Sequence, residues 1–322
     1  MSLLALLLAG LAQAACTEAT ISPSRLTQVT ADGELPERRL PEVQRPRQRP
    51  LGAAAMGVVP GLGHLHTCDD LAAVSQGVTS GALFLAGTGL AQEAGPIRTP
   101  VAISAMHTGR SLAWYSAYDA YRVSKMQRGP VENSTTVDGA SLKTHILAPF
   151  RRENIFAPAN LFASGLAAGL VSLQFAAGTA VPWPDRVDWG GGPRRTLGNV
   201  GVGAAWTGYT ITNVAVSEEA LFRGVVQPVL VDATNRPWLG MTLSNMLFGL
   251  IHFDLEDPRM GAISASYITL ASFDVSISAH KHGYDLSRPI AAHFWYDTIL
   301  LTGNLLRDPR SSPWELVFRV PL

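Results

Sequence analysis

An all-α fold, a polytopic membrane helix bundle, is the class the sequence predicts, and three observations predict it. Hydrophobic residues make up 47% of the 322 and charged residues only 16%, whereas soluble domains carry about 25% charged residues. The apolar residues gather into stretches near the length of a bilayer crossing, notably Leu71 to Ala94 and Met260 to Ala279. Ionisable residues interrupt these stretches at four-residue spacings, which place side chains on one face of a helix. An open sheet would leave its edge unpaired in hydrocarbon, so helices are the elements expected.

Taken in order, residues 1–15 form an apolar run ending in Ala12-Gln13-Ala14 and read as a signal segment. Residues 16–50 are rich in Pro and Arg, with Arg38, Arg39, Arg45, Arg47 and Arg49 close together, and read as a disordered tail. Residues 51–123 read as an N-terminal membrane hairpin, in which Val101 to Tyr121 partners the stretch from Leu71. Its opening, Pro60-Gly61-Leu62-Gly63-His64, together with Arg110, Tyr118, Asp119, Tyr121 and Arg122, resembles small two-helix membrane modules that begin on a PGLGQ-type turn. His64, His66, Cys68 and Asp69 are ligand-type side chains at close spacing, but no partners that would complete a structural site of about four ligands are evident.

Residues 124–155 read as a polar linker, with Lys125, Arg128, Lys143, Arg151 and Arg152 against Glu132, Asp138 and Glu153. Residues 156–322 hold the remaining apolar stretches, near Phe156–Val181, Thr196–Val216, Leu221–Val231, Trp238–Phe253, Met260–Ala279 and Pro289–Leu305. Small residues such as Ser164, Gly165, Ala167, Ala168 and Gly169 allow helices in lipid to approach closely. The expected location is the cell inner membrane, multi-pass. By the positive-inside rule a cytoplasmic linker returns the chain to that side at Glu218. That conflicts with a cleaved export signal, and the linker is the weightier of the two signals.

The formal net charge is zero, with no basic face suited to nucleic acid, so the expected partners are the lipid bilayer and a membrane-associated protein or peptide substrate. Two cysteines, Cys16 and Cys68, neither define a disulfide framework nor complete a cysteine zinc site. Trp183, Trp189, Trp206 and Trp238 read as interfacial anchors or bundle packing, and His280, Lys281 and His282 as a solvated cluster.

Three polar constellations interrupt the apolar C-terminal region: Glu218 and Glu219 with Arg223, Phe248 with His252, and His293 with Asp297. Ionisable groups at membrane depth are costly enough to mark functional sites by default. Each pair alone is weak, but all three in this order arise by chance in fewer than about one chain in a thousand. Glu219 and Arg223 read as a buried ion pair tying helices together. Phe248 reads as packing, and Asn245 as a helix–helix hydrogen-bonding group.

Glu218-Glu219-Ala220-Leu221-Phe222-Arg223-Gly224, Phe248-Gly249-Leu250-Ile251-His252 and His293-Phe294-Trp295-Tyr296-Asp297 resemble the motifs of the CPBP family. That family comprises the CAAX prenyl protease 2 (Rce1-type) enzymes and their bacterial, Abi-like relatives. The resemblance runs from Ser217 to Leu305 and says nothing about the first half of the chain. It implies a core of about six helices and a glutamic intramembrane endopeptidase that needs no cofactor and no metal.

By position, Glu218 would be the general base and His252 its partner in polarising water. His293 and Asp297 would hold the oxyanion, where one donor is worth about 3 kcal/mol. Glu219, Arg223 and Phe248 would support them. Many members have Asn where this chain has Asp297, and an ionised carboxylate only accepts hydrogen bonds. That leaves the oxyanion to His293 unless Asp297 is protonated or orients the ring. Two other readings stay open: a zinc-dependent protease with Glu218, His252 and His293 as ligands, and a catalytically silent membrane protein that binds a partner, as an immunity factor does.

Overall fold

Every regular element is helical in the computed structural model, which describes residues 49–67, 69–92, 98–128, 135–177 and 212–307. The signal segment, nearly all of the Arg-rich tail, Cys68, Trp183, Trp189, Trp206 and most of the Thr196–Val216 stretch lie outside these residues.

The chain enters through α1, Pro50–Gly57, and α2, Leu62–His66. Between them Gly61 takes φ +89°, and a Cβ there would lie 2.2 Å from the Ala73 carbonyl oxygen, so the turn demands glycine twice over. Asp69 accepts the amide of Ala72 and starts α3, Asp70–Gln92. With α4, Arg98–Arg128, this helix makes the antiparallel hairpin read from the sequence. Ser80 donates to the Gly109 carbonyl at 2.8 Å, one of the small-residue contacts that hold two helices together in lipid.

Residues 135–140 run without regular structure into α5, Leu142–Leu147, which Ser141 caps by accepting the Thr144 amide. A 3₁₀ turn, Ala148–Phe150, leads to α6, Arg152–Ile155, and then to α7, Pro158–Ala176. Helix α8 is described from residue 212, passes through a π-helical segment at Phe222–Val226 and continues as Gln227–Thr234. Asn235, at φ +50°, ends it, and Pro237 opens α9, Pro237–Leu250.

Asp257 caps α10, Pro258–Ala271, by accepting the Met260 amide. The apolar stretch Met260–Ala279 is not one helix: it breaks at Ser272, whose side chain donates to the Thr269 carbonyl, and resumes as α11, Phe273–Lys281. After a turn with Gly283 and Tyr284 both at φ +63°, α12, Ser287–Arg307, closes the bundle. The segment read as the C-terminal core therefore holds six helices, α7 to α12, among its described residues.

Among the described residues, three segments are long and apolar enough to cross a membrane: Asp70–Gly89, Pro158–Ala176 and the broken Pro258–Lys281. They turn large apolar side chains outward, with Leu71 82%, Leu173 69% and Leu270 71% exposed, as lipid-facing surfaces do. The interior is polar and small by comparison. Arg223, Glu219, Asn245, Gln227 and Ser276 are fully buried, and Ser276 donates to Asn245 at 2.6 Å, giving that asparagine its helix–helix bond between α11 and α9.

Tyr115, Tyr118 and Tyr121 on α4 join Val216, Ala220, Val225, Leu286 and Ile290 in one apolar cluster. The hairpin and the C-terminal helices thus share a core. His280 is half-buried against the Tyr284 hydroxyl at 3.1 Å, while Lys281 and His282 are exposed, and Trp238 is 65% exposed in the first turn of α9.

Candidate active site

Helix α8 supplies the first acidic pair. Consecutive residues on a helix point about 100° apart, so Glu218 and Glu219 reach opposite nitrogens of the His293 ring, and both are buried. Glu219 Oε1 accepts from Arg223 Nη1 at 3.2 Å and lies 2.8 Å from His293 Nδ1. Arg223 also donates to the Ser272 carbonyl at the α10–α11 break, at 3.4 Å. Its guanidinium carbon stacks 4.4 Å from the centre of the Phe248 ring. The spacing that suggested a Glu219–Arg223 pair thus corresponds to a contact tying α8 to α9, α11 and α12.

Glu218 is different. Its Oε2 is buried and has no hydrogen-bond partner, and it stands 3.9 Å from His252 Nε2 and 3.8 Å from His293 Nε2. Three separate segments of chain bring these groups together. His252 does not lie on α9 itself, as the four-residue spacing with Phe248 suggested, but in the turn just past its cap. The ring still returns to that helix, because His252 Nδ1–H donates to the Phe248 carbonyl at 2.8 Å. This bond fixes the tautomer and turns the Nε2 lone pair toward Glu218.

Phe248 sets its ring edge to face against Phe222 and against His252, each at 4.9 Å between centroids. Asp297 Oδ2 lies 3.3 Å from His293 Nε2, so both nitrogens of that ring face carboxylates.

The π-helical segment begins three residues after Glu219. Here Gly224 is required for close approach: a Cβ would lie 2.4 Å and 2.6 Å from two ring carbons of Tyr118. A hairpin residue therefore presses on the turn that carries Arg223. The sequence placed Tyr118 in the hairpin module but gave no signal for its contact with Gly224, because a tyrosine on an apolar helix looks the same wherever its partner lies.

Of the cluster His64, His66, Cys68 and Asp69, His64 is fully buried with Nε2 3.4 Å from Asp119 Oδ2 on α4, while Asp69 caps α3. Among the described residues no group of three or more His, Cys, Asp or Glu is arranged to hold a metal ion.

The described residues thus form an all-α membrane helix bundle in which two histidines approach a buried glutamate. Residues 198–299 match the model of the Rce1-like family, described as type II CAAX prenyl endopeptidase Rce1-like, which supports a CAAX-type membrane endopeptidase in general. The matched segment contains all three constellations and ends two residues after Asp297. No curated protein and no solved structure matches the chain.

Proposed function

We propose that this protein is a multi-pass inner-membrane endopeptidase of the glutamic type, hydrolysing a peptide bond in a membrane-associated protein or peptide. The single observation carrying this reading is the buried, unpaired Oε2 of Glu218 between two imidazole nitrogens at 3.8 and 3.9 Å. Two acceptors about 4 Å apart suit one water molecule that donates to both. Glu218 takes a proton from that water as its oxygen attacks the carbonyl carbon, and His252 Nε2 holds the water in line. As the tetrahedral adduct collapses, the C–N bond breaks and the leaving amine receives the proton from Glu218.

Oxyanion stabilisation falls to His293. Its Nδ1 is committed to Glu219, so donation from Nε2 requires the imidazolium, a form that flanking carboxylates favour. Asp297 shares that nitrogen in the resting site and yields it as charge develops on the substrate. Phe248 and Arg223 support both rings through the contacts already described. The family description supports a substrate attached to the membrane, the lipid bilayer being the second partner.

The zinc reading keeps one specific point in its favour: a carboxylate on the far nitrogen of His293 is the usual partner of a metal-bound histidine. The test of the glutamic reading compares the amino termini of membrane proteins from cells expressing the parent and the Glu218→Ala protein. Termini present with the parent and absent with the variant are expected. Identical sets would overturn the proposal.

A further inference from the structure

Residues 135–150 fall outside the three motifs, yet they touch the helix that carries His293 at both ends of its first two turns. Thr136 Oγ1 donates to the Gly283 carbonyl at 2.7 Å, in the turn before α12. Asp138 Oδ2 accepts the Leu286 amide at 3.1 Å, one residue before that helix begins. Further along, the Trp295 indole N–H donates to the Pro149 carbonyl at 2.9 Å, and the Phe150 and Phe294 rings meet edge to face at 5.3 Å. Phe294 and Trp295 are the two residues after His293.

The segment is itself braced. His145 is fully buried, with Nε2–H donating to Asp138 Oδ2 at 2.7 Å and Nδ1 3.3 Å from the Tyr115 hydroxyl. The Ala140 amide donates to Asp138 Oδ1 at 2.7 Å, and the Tyr118 hydroxyl donates to the Asp138 carbonyl at 3.3 Å. Three N–H groups from three places in the chain thus converge on one carboxylate. A linker that only spanned a distance would need none of them.

We infer that residues 135–150 are a strap fixing the rotation and axial position of α12, with Asp138 as a positioning residue that acts through His293. Lipid offers little hydrophobic drive for one helix to choose its rotation against another, so polar clamps decide it. The choice matters because His293 must hold Nδ1 on Glu219 while presenting Nε2 beside Glu218, and a misplacement of about 1 Å at such a site costs up to about a hundredfold in rate. The strap deepens the proposed function and rests on its assignment of His293.

The test uses the full-length protein in detergent, comparing the parent with Asp138→Asn, whose single carbonyl oxygen cannot accept all three N–H groups. Two quantities are read: the rate at which diethyl pyrocarbonate modifies His293, mapped by peptide mass spectrometry across pH, and the abundance of Glu218-dependent termini in membranes. A strap that positions α12 gives His293 modification faster by about tenfold, with a shifted pH profile, and a comparable fall in those termini. Faster hydrogen exchange at Leu286 with unchanged His293 reactivity would reduce Asp138 to local structure and overturn the inference.

Should Asp138→Asn fail to fold, Thr136→Val and Trp295→Phe each remove one clamp bond and are read the same way. Altered His293 reactivity in a protein whose parent yields no Glu218-dependent termini leaves the strap standing and removes the proposed function instead.

Discussion

Replacing each of the adjacent glutamates by glutamine separates a chemical carboxylate from a structural one. Glu219→Gln removes the charge that Arg223 and His293 both face at 3.2 and 2.8 Å, leaving Arg223 buried without its carboxylate. Breaking a buried pair this way costs about 3–5 kcal/mol. Glu218→Gln removes a charge whose Oε2 has no hydrogen-bond partner, so the same change there leaves stability unaltered or slightly improved. Its effect falls on turnover: a general base contributes about 10²–10⁴-fold, or about 3–5 kcal/mol of barrier at 1.36 kcal/mol per decade. Denaturant titration of the purified variants, with the count of Glu218-dependent membrane-protein termini, reads both axes. Equal loss of stability in the two variants, or a Glu219→Gln protein as stable as its parent, would refute this division of labour.

Gly224→Ala forces a methyl group against the Tyr118 ring and is expected to destabilise by about 1–3 kcal/mol; adding Tyr118→Leu recovers part of that in a denaturant titration, whereas strictly additive effects would show that the two residues do not meet. His252→Ala abolishes the Glu218-dependent termini while leaving the melting profile intact. Under the glutamic mechanism chelators leave turnover unchanged, and elemental analysis showing one zinc per chain would move the chemistry to the zinc reading. Burial alone would raise the Asp138 carboxyl, but the hydrogen bonds from His145 and from the Ala140 and Leu286 amides hold it below its ordinary value. A group whose folded pKa is depressed stabilises above its unfolded pKa and loses that contribution as pH falls through the folded value. The melting difference between the parent and Asp138→Asn should therefore vanish in acid, where the side chain at 138 that His145 faces is neutral in both proteins; a difference that persists there assigns the effect to something other than its charge.

The fold was legible because bilayer-length apolar stretches are local signals. Pro158, Pro237 and Pro258 each sit at the first position of a helix, where a missing N–H costs nothing. The break at Ser272 was not legible: its neighbours are as apolar as a continuous span, and what stops the helix is a hydroxyl turned onto the Thr269 carbonyl. At the site, the motif spacings named the residues that meet, but not that His252 leaves its helix and is recovered by a bond to Phe248. Residues 135–150 were hardest to read. Asp138 and His145 look like linker residues because they are polar, and their polarity is what lets them satisfy one another and the start of α12, across separations in sequence that no periodicity reports.

The π-helical segment connects these observations. A π turn carries an extra residue and widens the helix, and such turns occur frequently at functional sites. Here it begins three residues after Glu219 and contains Arg223 and Gly224. The side that Gly224 leaves bare admits Tyr118, and Tyr118 in turn donates to the strap that holds Asp138. The neighbouring position carries Arg223 back to Glu219, which holds His293 on the helix the strap clamps. A closed circuit thus runs from α8 through α4 and the strap to α12 and back to α8. Glu218 Oε2 stands inside that circuit without a hydrogen bond, and under the proposed mechanism that leaves its lone pair for water instead of for the fold.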